Sequence, residues 1–217
     1  MVARGASPGG RVRIALVGGT GPFGIALAKR LAEAGYDVVL GSRDAARANA
    51  AAADLAVEGA TNGEAVRTAD LVVLATNADA ALDTARELRE AIGSTPVVSV
   101  GSELRFTPAG VLPSPEASSL AERIQGELDA PVVAGLHSLA ASTLGSAEPP
   151  DEDAFVCGDD LEAKNIVLEV AARLIAGRAL DAGPLASARA LEGVTAVAVN
   201  LNKRYRGHAG IRVTGLR

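Results

Sequence analysis

Tryptophan is absent from this chain, and 217 residues include only two tyrosines, three phenylalanines, two histidines and one cysteine. A single Cys157 excludes an intrachain disulfide, fits a reducing compartment and predicts a cytoplasmic protein. His137 and His208 lie far apart, so no metal centre is expected. No uniform apolar run approaches the roughly 20 residues that span a bilayer, so no membrane partner is expected. Basic excess is lacking too: the net charge is −5, which argues against a nucleic-acid partner. The opening "MVARGASPGG" is too short and polar for a signal peptide, and residues 1–11 read as a flexible tail.

What is present is Ala, Val and Leu, within a hydrophobic share of 48%, arranged as alternating strands and helices. "RVRIALVGG", "YDVVLGS", "DLVVLAT", "PVVSVGS", "PVVAGLH" and "DAFVCGD" read as buried strands. Between them, "IALAKRLAEAG", "RDAARANAAAADLA" and "AALDTARELREAI" read as helices, the first stopped by Gly35. Ser114 and Pro115 look like start signals for a further helix in "SPEASSLAERIQGEL". "LEAKNIVLEVAARLI" is one more helix, with Asp159 and Asp160 as its cap and first-turn charge. "LGSAEPPDED" is a polar surface excursion. This alternation predicts an α/β Rossmann-type fold, a doubly wound parallel sheet. After Pro184 it stops, and "LASARALEGVTAVAVNLNKRY" reads as one helix. The expected division is a dinucleotide-binding domain over residues 12–183 and a small C-terminal helical cap over 184–217.

Gly19, Gly21 and Gly24 form G-x-G-x-x-G between a predicted strand and helix. In that setting the glycines permit a sharp turn, close backbone approach to a pyrophosphate and tight helix–strand packing. The helix N-terminus then faces the anion. Thr20 could add a hydroxyl, and a purely structural turn is the alternative. At the end of the second strand, NAD-binding folds usually carry an acidic residue for the ribose. This chain has "LGSRDAAR" there. Ser42, Arg43 and Arg47 suit the 2′-phosphate of NADP, with both guanidiniums on one helical face. The alternative is a solvated helix start with a local pair to Asp44. No Tyr with Lys four residues on is available as a proton donor, since Leu40 follows Tyr36 and Ala209 follows Tyr205. No Ser/His/Asp or Cys/His set stands at recognisable spacing either. Such a gap suits hydride transfer between two cofactor rings, which needs alignment and dryness more than side-chain proton transfer.

From Arg13 to Leu216 the chain resembles the NADPH-dependent coenzyme F-420 reductases. The resemblance rests on "GGTGPFG", "GSRDAAR", "VVAGLHS", "VCGDD", "LDAGPL" and "NLNKRYRGHAGIRVTGL", in family order. It implies an oxidoreductase moving hydride between NADP(H) and the deazaflavin F-420. Thr20, Ser42, Arg43 and Arg47 would hold NADP, with Phe23, Thr76 and Asn77 completing that set. Ser102, His137, Ser138 and Leu216 would meet the deazaflavin, as would Asn200 if it faces the cleft; solvent is its alternative. His137 would line the cleft where the rings meet, as a positioning group; a packed structural histidine is the alternative. The C-terminal part would close the pocket and help form a homodimer. "TNADAAL" and "GSELRFTPAG" depart from the family pattern. Two other functions stay open: an NADP-dependent reductase of an imine, a flavin or a metal chelate, and a non-catalytic NADP-sensing module. Cys157 reads as a strand-end core residue. "KRYRGH", residues 203–208, reads as a solvated basic patch or a lure for an acidic cofactor tail.

Overall fold

The computed structural model describes residues 11–216. The expected tail, all but Arg11, lies outside them. The first half runs β1 (Arg13–Val17), α1 (Pro22–Glu33), β2 (Asp37–Ser42), α2 (Ala45–Ala53), β3 (Glu58–Thr61), α3 (Asn62–Arg67), β4 (Leu71–Leu74), α4 (Ala78–Ile92) and β5 (Val97–Ser99). Next come β6 (Leu104–Thr107), β7 (Gly110–Pro113), α5 (Leu120–Glu127), β8 (Val132–Gly135), α6 (Ala141–Leu144), β9 (Ala154–Gly158), α7 (Leu161–Leu174) and β10 (Ala179–Asp181). A short 3-10 turn, Leu185–Ser187, leads into α8 (Ala188–Tyr205).

Eight strands form one sheet in the order β10-β9-β8-β5-β4-β1-β2-β3. Strand alternation sorts the apolar side chains into two layers. Ile14, Leu16, Val38, Leu40, Leu71 and Val73 face α1, α2 and α7. Ala15, Val17, Val39, Val72 and Leu74 face α3, α4 and α5. Leu185, Ala188 and Leu191 join the second layer, so the start of α8 shares the sheet's own core.

The sheet differs from the expected all-parallel one at a single pairing: β9 runs antiparallel to β8. A parallel neighbour needs a crossover to the opposite end of the sheet, usually through a helix of some length. Here α6 has only 4 residues, and the chain returns from the same edge. There the Ser138 hydroxyl donates to the Asp153 carbonyl at 3.2 Å. Two other features carry little sequence signal. β3 and α3 are short, and β3 is poorly buried. The β6–β7 hairpin stands outside the main sheet. α5 starts at Leu120, not near Ser114 and Pro115. Ser119 caps it in a reciprocal box with Glu122, while the Ser114 N–H closes the hairpin on the Glu103 carbonyl. Asp160 caps α7 as expected; Asp159 instead accepts the Leu185 N–H at 2.9 Å.

Candidate active site at the carboxyl edge of the sheet

The sheet reverses its winding between β1 and β4, which opens a crevice beyond their carboxyl ends. The glycine turn lies there. Gly18 is left-handed at φ +67°, and a Cβ on it would run into the Thr76 side chain. The Gly18 N–H donates to Asn62 Oδ1 at 3.1 Å, and the Gly19 N–H donates to the carbonyls of Gly41 and Leu16. A Cβ on Gly24 would overlap the Gly19 backbone, so these two glycines set how closely α1 approaches β1. Gly21 is different. It caps α1 with extended backbone, φ −82°, and a Cβ there meets nothing within 4 Å. No side chain caps this helix, and Pro22 takes its first turn. The start of α1 thus keeps backbone donors and an open approach for an anion. Thr20 is half-buried in the turn. Phe23 is half-buried and packs against the core, so it supports the turn from below.

At the end of β2, Ser42 is buried and its Oγ accepts the Asp44 N–H at 3.2 Å. The Asp44 carboxylate caps α2, accepting from the Ala46 and Arg47 N–H groups. Asp44 is thereby engaged with the backbone, and no carboxylate among the described residues pairs with Arg43 or Arg47. Both arginines are exposed. Arg43 lies one residue before the cap, so the pair does not share a helical face as the spacing suggested. They flank the N-terminus of α2 instead.

Beyond β4, Thr76 Oγ1 is buried without a hydrogen-bond partner. Asn77 is the exposed N-cap of α4, and its side chain makes no cap bond. Further along the same edge, Ser99 Oγ at the end of β5 is orphaned as well. After β8, Leu136 is held in the left-handed region at φ 64°, an uncommon state for a branched apolar side chain. The strained turn carries His137 into the edge, where it is only 7% exposed. Neither ring nitrogen has a hydrogen bond of normal geometry. Burial pushes its pKa from 6.5 down to about 4, opposed in part by the Gly101 backbone. The ring is therefore neutral at neutral pH, with one donor nitrogen and one acceptor nitrogen.

Ser102 stands beside His137, joined through α8. Thr195 Oγ1 donates to the His137 carbonyl at 2.9 Å and lies 2.8 Å from Ser102 Oγ. Ser102 also borders a cavity of about 490 Å³ between the start of α4 and the hairpin, shared with Ala78, Asp79, Arg105 and Phe106. Asn200 is not free for a ligand. Its amide brackets Val111, accepting from the N–H at 2.9 Å and donating to the carbonyl at 2.7 Å, and so ties the hairpin to α8. Leu216 is 54% exposed, and no described hydrogen bond joins it to this wall. Ser138 is buried with its proton committed to Asp153. Cys157 is fully buried, and burial pushes its thiol up to about 12, so it is an inert core residue.

The family profile described as "NADP oxidoreductase coenzyme F420-dependent" matches residues 13–103. An "F420-dependent NADP reductase" of Methanothermobacter thermautotrophicus is 36% identical, across 94% of this chain and 96% of the relative. One of the same description from Methanocaldococcus jannaschii is 33% identical, across 94% and 99%. The chain belongs to the F420-dependent NADP reductase family. A crystal structure from Arthrobacter sp. FB24, solved as a candidate member, superposes with a TM-score of 0.81 at 26% identity, over 96% of this chain and 100% of that one. An imine reductase from Streptomyces aurantiacus, at TM-score 0.61 and 23% identity over 89% and 61%, shares the fold alone.

Four residues of the site escape sequence reasoning. Gly18 was hidden by the motif that follows it. Asn62, Leu136 and Thr195 act through contacts distant in sequence or through a backbone angle, and neither leaves a local pattern.

Proposed function

We propose that this chain moves hydride between NADP(H) and coenzyme F-420. The observation that carries the reading is a buried His137 with no hydrogen bond of normal geometry on either nitrogen, set beside Ser102 on the same sheet edge as the glycine turn. A dinucleotide-binding module alone would need no second wall of that kind. Full-length kinship with two relatives named for this activity supports the same reading.

Gly19, Thr20 and Gly21 would receive the pyrophosphate, and Ser42, Arg43 and Arg47 the 2′-phosphate. Thr76 and Asn77 offer unpartnered polar groups where the dinucleotide would cross from β1 to β4. The residues present fit the cofactor, because the open space at Gly21 and the orphaned Thr76 hydroxyl would gain contacts. When both are bound, NADPH supplies a hydride and the deazaflavin accepts it. The protein's part is to orient two rings and keep water out. The neutral His137 suits that part: it offers hydrogen bonds from a dry wall and carries no charge near the transfer.

Residues 12–183 would then be the dinucleotide domain and 184–217 the cap. We also infer a homodimer working in the cytoplasm. Val197, Leu201 and Tyr205 repeat every fourth residue on α8 and are 55%, 40% and 72% exposed, an apolar stripe that a second copy could cover. Sedimentation at micromolar concentration would test it, and a monomer would refute it.

The deciding experiment mixes purified protein, NADPH and F-420 and follows the deazaflavin's visible absorbance. Bleaching is expected, with deuterium from C-4 of NADPH recovered at C-5 of the product. No bleaching, with ready reduction of an imine or free flavin, would replace this reading by another reductase activity.

A further inference from the structure

We infer that Thr195 is a positioning residue that fixes the Ser102 hydroxyl as a hydrogen-bond acceptor for an N–H on a bound cofactor ring. The inference rests on the reading above that two cofactors meet at this wall.

Proton count sets the direction of both hydrogen bonds. A threonine hydroxyl has one hydrogen. The His137 carbonyl, 2.9 Å from Thr195 Oγ1, can only accept, so that hydrogen belongs to it. The Ser102–Thr195 contact at 2.8 Å must then take its hydrogen from Ser102. The only proton on the Ser102 hydroxyl points toward α8. Its free lone pairs are what remain for the cavity that Ser102 borders. A ligand atom there must donate.

The same contacts clip two loops together. Ser102 follows β5, His137 follows β8, and Thr195 is 93 and 58 residues away from them. His137 adds a buried ring with no hydrogen bond of normal geometry on either nitrogen. Two ligand groups share the required chemistry: the carboxamide of the nicotinamide and the imide N–H of the deazaflavin. Each presents an N–H at the edge of a flat ring.

The test compares the full chain with Thr195→Val, Thr195→Ser, Ser102→Ala and the Thr195→Val/Ser102→Ala double variant, measuring KM for each cofactor, kcat and Tm. Valine keeps the shape and removes the hydroxyl that orients Ser102. Loss of one directed hydrogen bond should raise one KM about tenfold, with kcat and the other KM nearly unchanged. Serine at 195 should restore the wild-type value. Ser102→Ala should give the same rise, and the double variant should be no worse than the poorer single one. A selective rise for NADPH, checked by direct titration, assigns the carboxamide; one for F-420 assigns the imide. If Thr195→Val fails to fold, Ser102→Ala carries the decision. Unchanged KM values, or equal losses for both cofactors that serine does not rescue, would overturn the inference. Wild-type protein that never reduces F-420 would instead refute the underlying activity.

Discussion

The two sides of the sheet edge are built on different plans. On the β1–β2 side the groups proposed to hold NADP lie within one short stretch, Gly19 to Arg47, and much of the work falls to backbone. On the β5–β8 side the wall is pieced together from distant segments: Ser102, His137 and Thr195 at the centre, and Val111 with Asn200 at the hairpin. Hydrogen bonds there span 58 to 93 residues. A phosphate can be held by helix ends and loose arginines, and such sites are local by nature. A flat ring needs shaped walls on several sides, and these come only from tertiary structure.

The sharpest way to break this comparison is to separate the glycines by role. Gly24 and Gly21 belong to one motif, yet their surroundings differ. At Gly24→Val the new side chain would collide with the Gly19 backbone, and folding should fail or Tm should drop steeply. At Gly21→Val the backbone is extended and the space is open, so the fold should survive. NADPH binding should nevertheless fall by more than the roughly hundredfold expected for losing one charge-assisted contact, because the side chain fills the approach to the helix end. Thermal melts with NADPH titration check both. Normal binding by Gly21→Val would mean that the turn is structural only.

Arg43→Ala ranks next. Its guanidinium is exposed and free of ion pairs among the described residues, so removal should leave Tm almost unchanged. NADPH affinity should fall about ten- to hundredfold, the range for one charge-assisted contact. NADH affinity should stay the same. Parallel isothermal titrations with both nucleotides measure the contrast, and equal losses would sink the 2′-phosphate assignment.

How legible the chain was follows the same division. The glycine motif, the missing acidic residue after β2 and the apolar strands are all local patterns, so the sheet, its main helices and the residues proposed to hold NADP could be read directly. The reversal of β9 could not, because nothing within "DAFVCGD" encodes its direction; the short return from β8 decides it. β3 escaped because Glu58–Thr61 is too short and too exposed to show a period. Ser114 and Pro115 had a plausible start signal for α5, but the Ser119–Glu122 box lay just beyond. Asn200 on its helix could face the cleft or solvent; its partner proved to be the backbone of a hairpin with no clear sequence signature.

His137 sharpens the comparison from the distal side. His137→Ala should lower turnover by less than the roughly 10²-fold that marks loss of a general acid–base group. Both cofactors should still bind. A neutral ring predicts no inflection near 6.5 in the pH profile of kcat from this residue. It also fixes a linkage. Above pH 6.5 the ring is neutral in both folded and unfolded chains. As pH falls from 6.5 toward about 4, only the unfolded chain takes up the proton, so stability drops across that window. Melts of wild type and His137→Ala between pH 7 and pH 4 should diverge, with the variant less sensitive to acid. Abolished turnover with intact binding would instead give the histidine a chemical role.

The smallest expected effect tests whether the distal side carries a stability cost of its own. Glu192 on α8 is 1% exposed and accepts the Leu120 N–H at 2.7 Å, at the start of α5. Burial, with Glu103 nearby, raises its pKa from 4.5 to about 7 despite that bond. Below pH 4.5 the carboxyl is protonated in both states and costs nothing. Between pH 4.5 and about 7 the unfolded chain ionises first, so stability falls as pH rises, and the deficit persists above pH 7. Glu192→Gln removes the ionisation and keeps an oxygen for the Leu120 N–H. It should therefore raise Tm at pH 8, by about 2–4 °C for each kcal/mol recovered in a chain of this size, and change it little at pH 4.5. Hydrogen exchange should slow in α5 and α8 at pH 8 and stay unaltered in α1 and α2. A gain of equal size at both pH values would show that packing, not ionisation, sets the cost at Glu192.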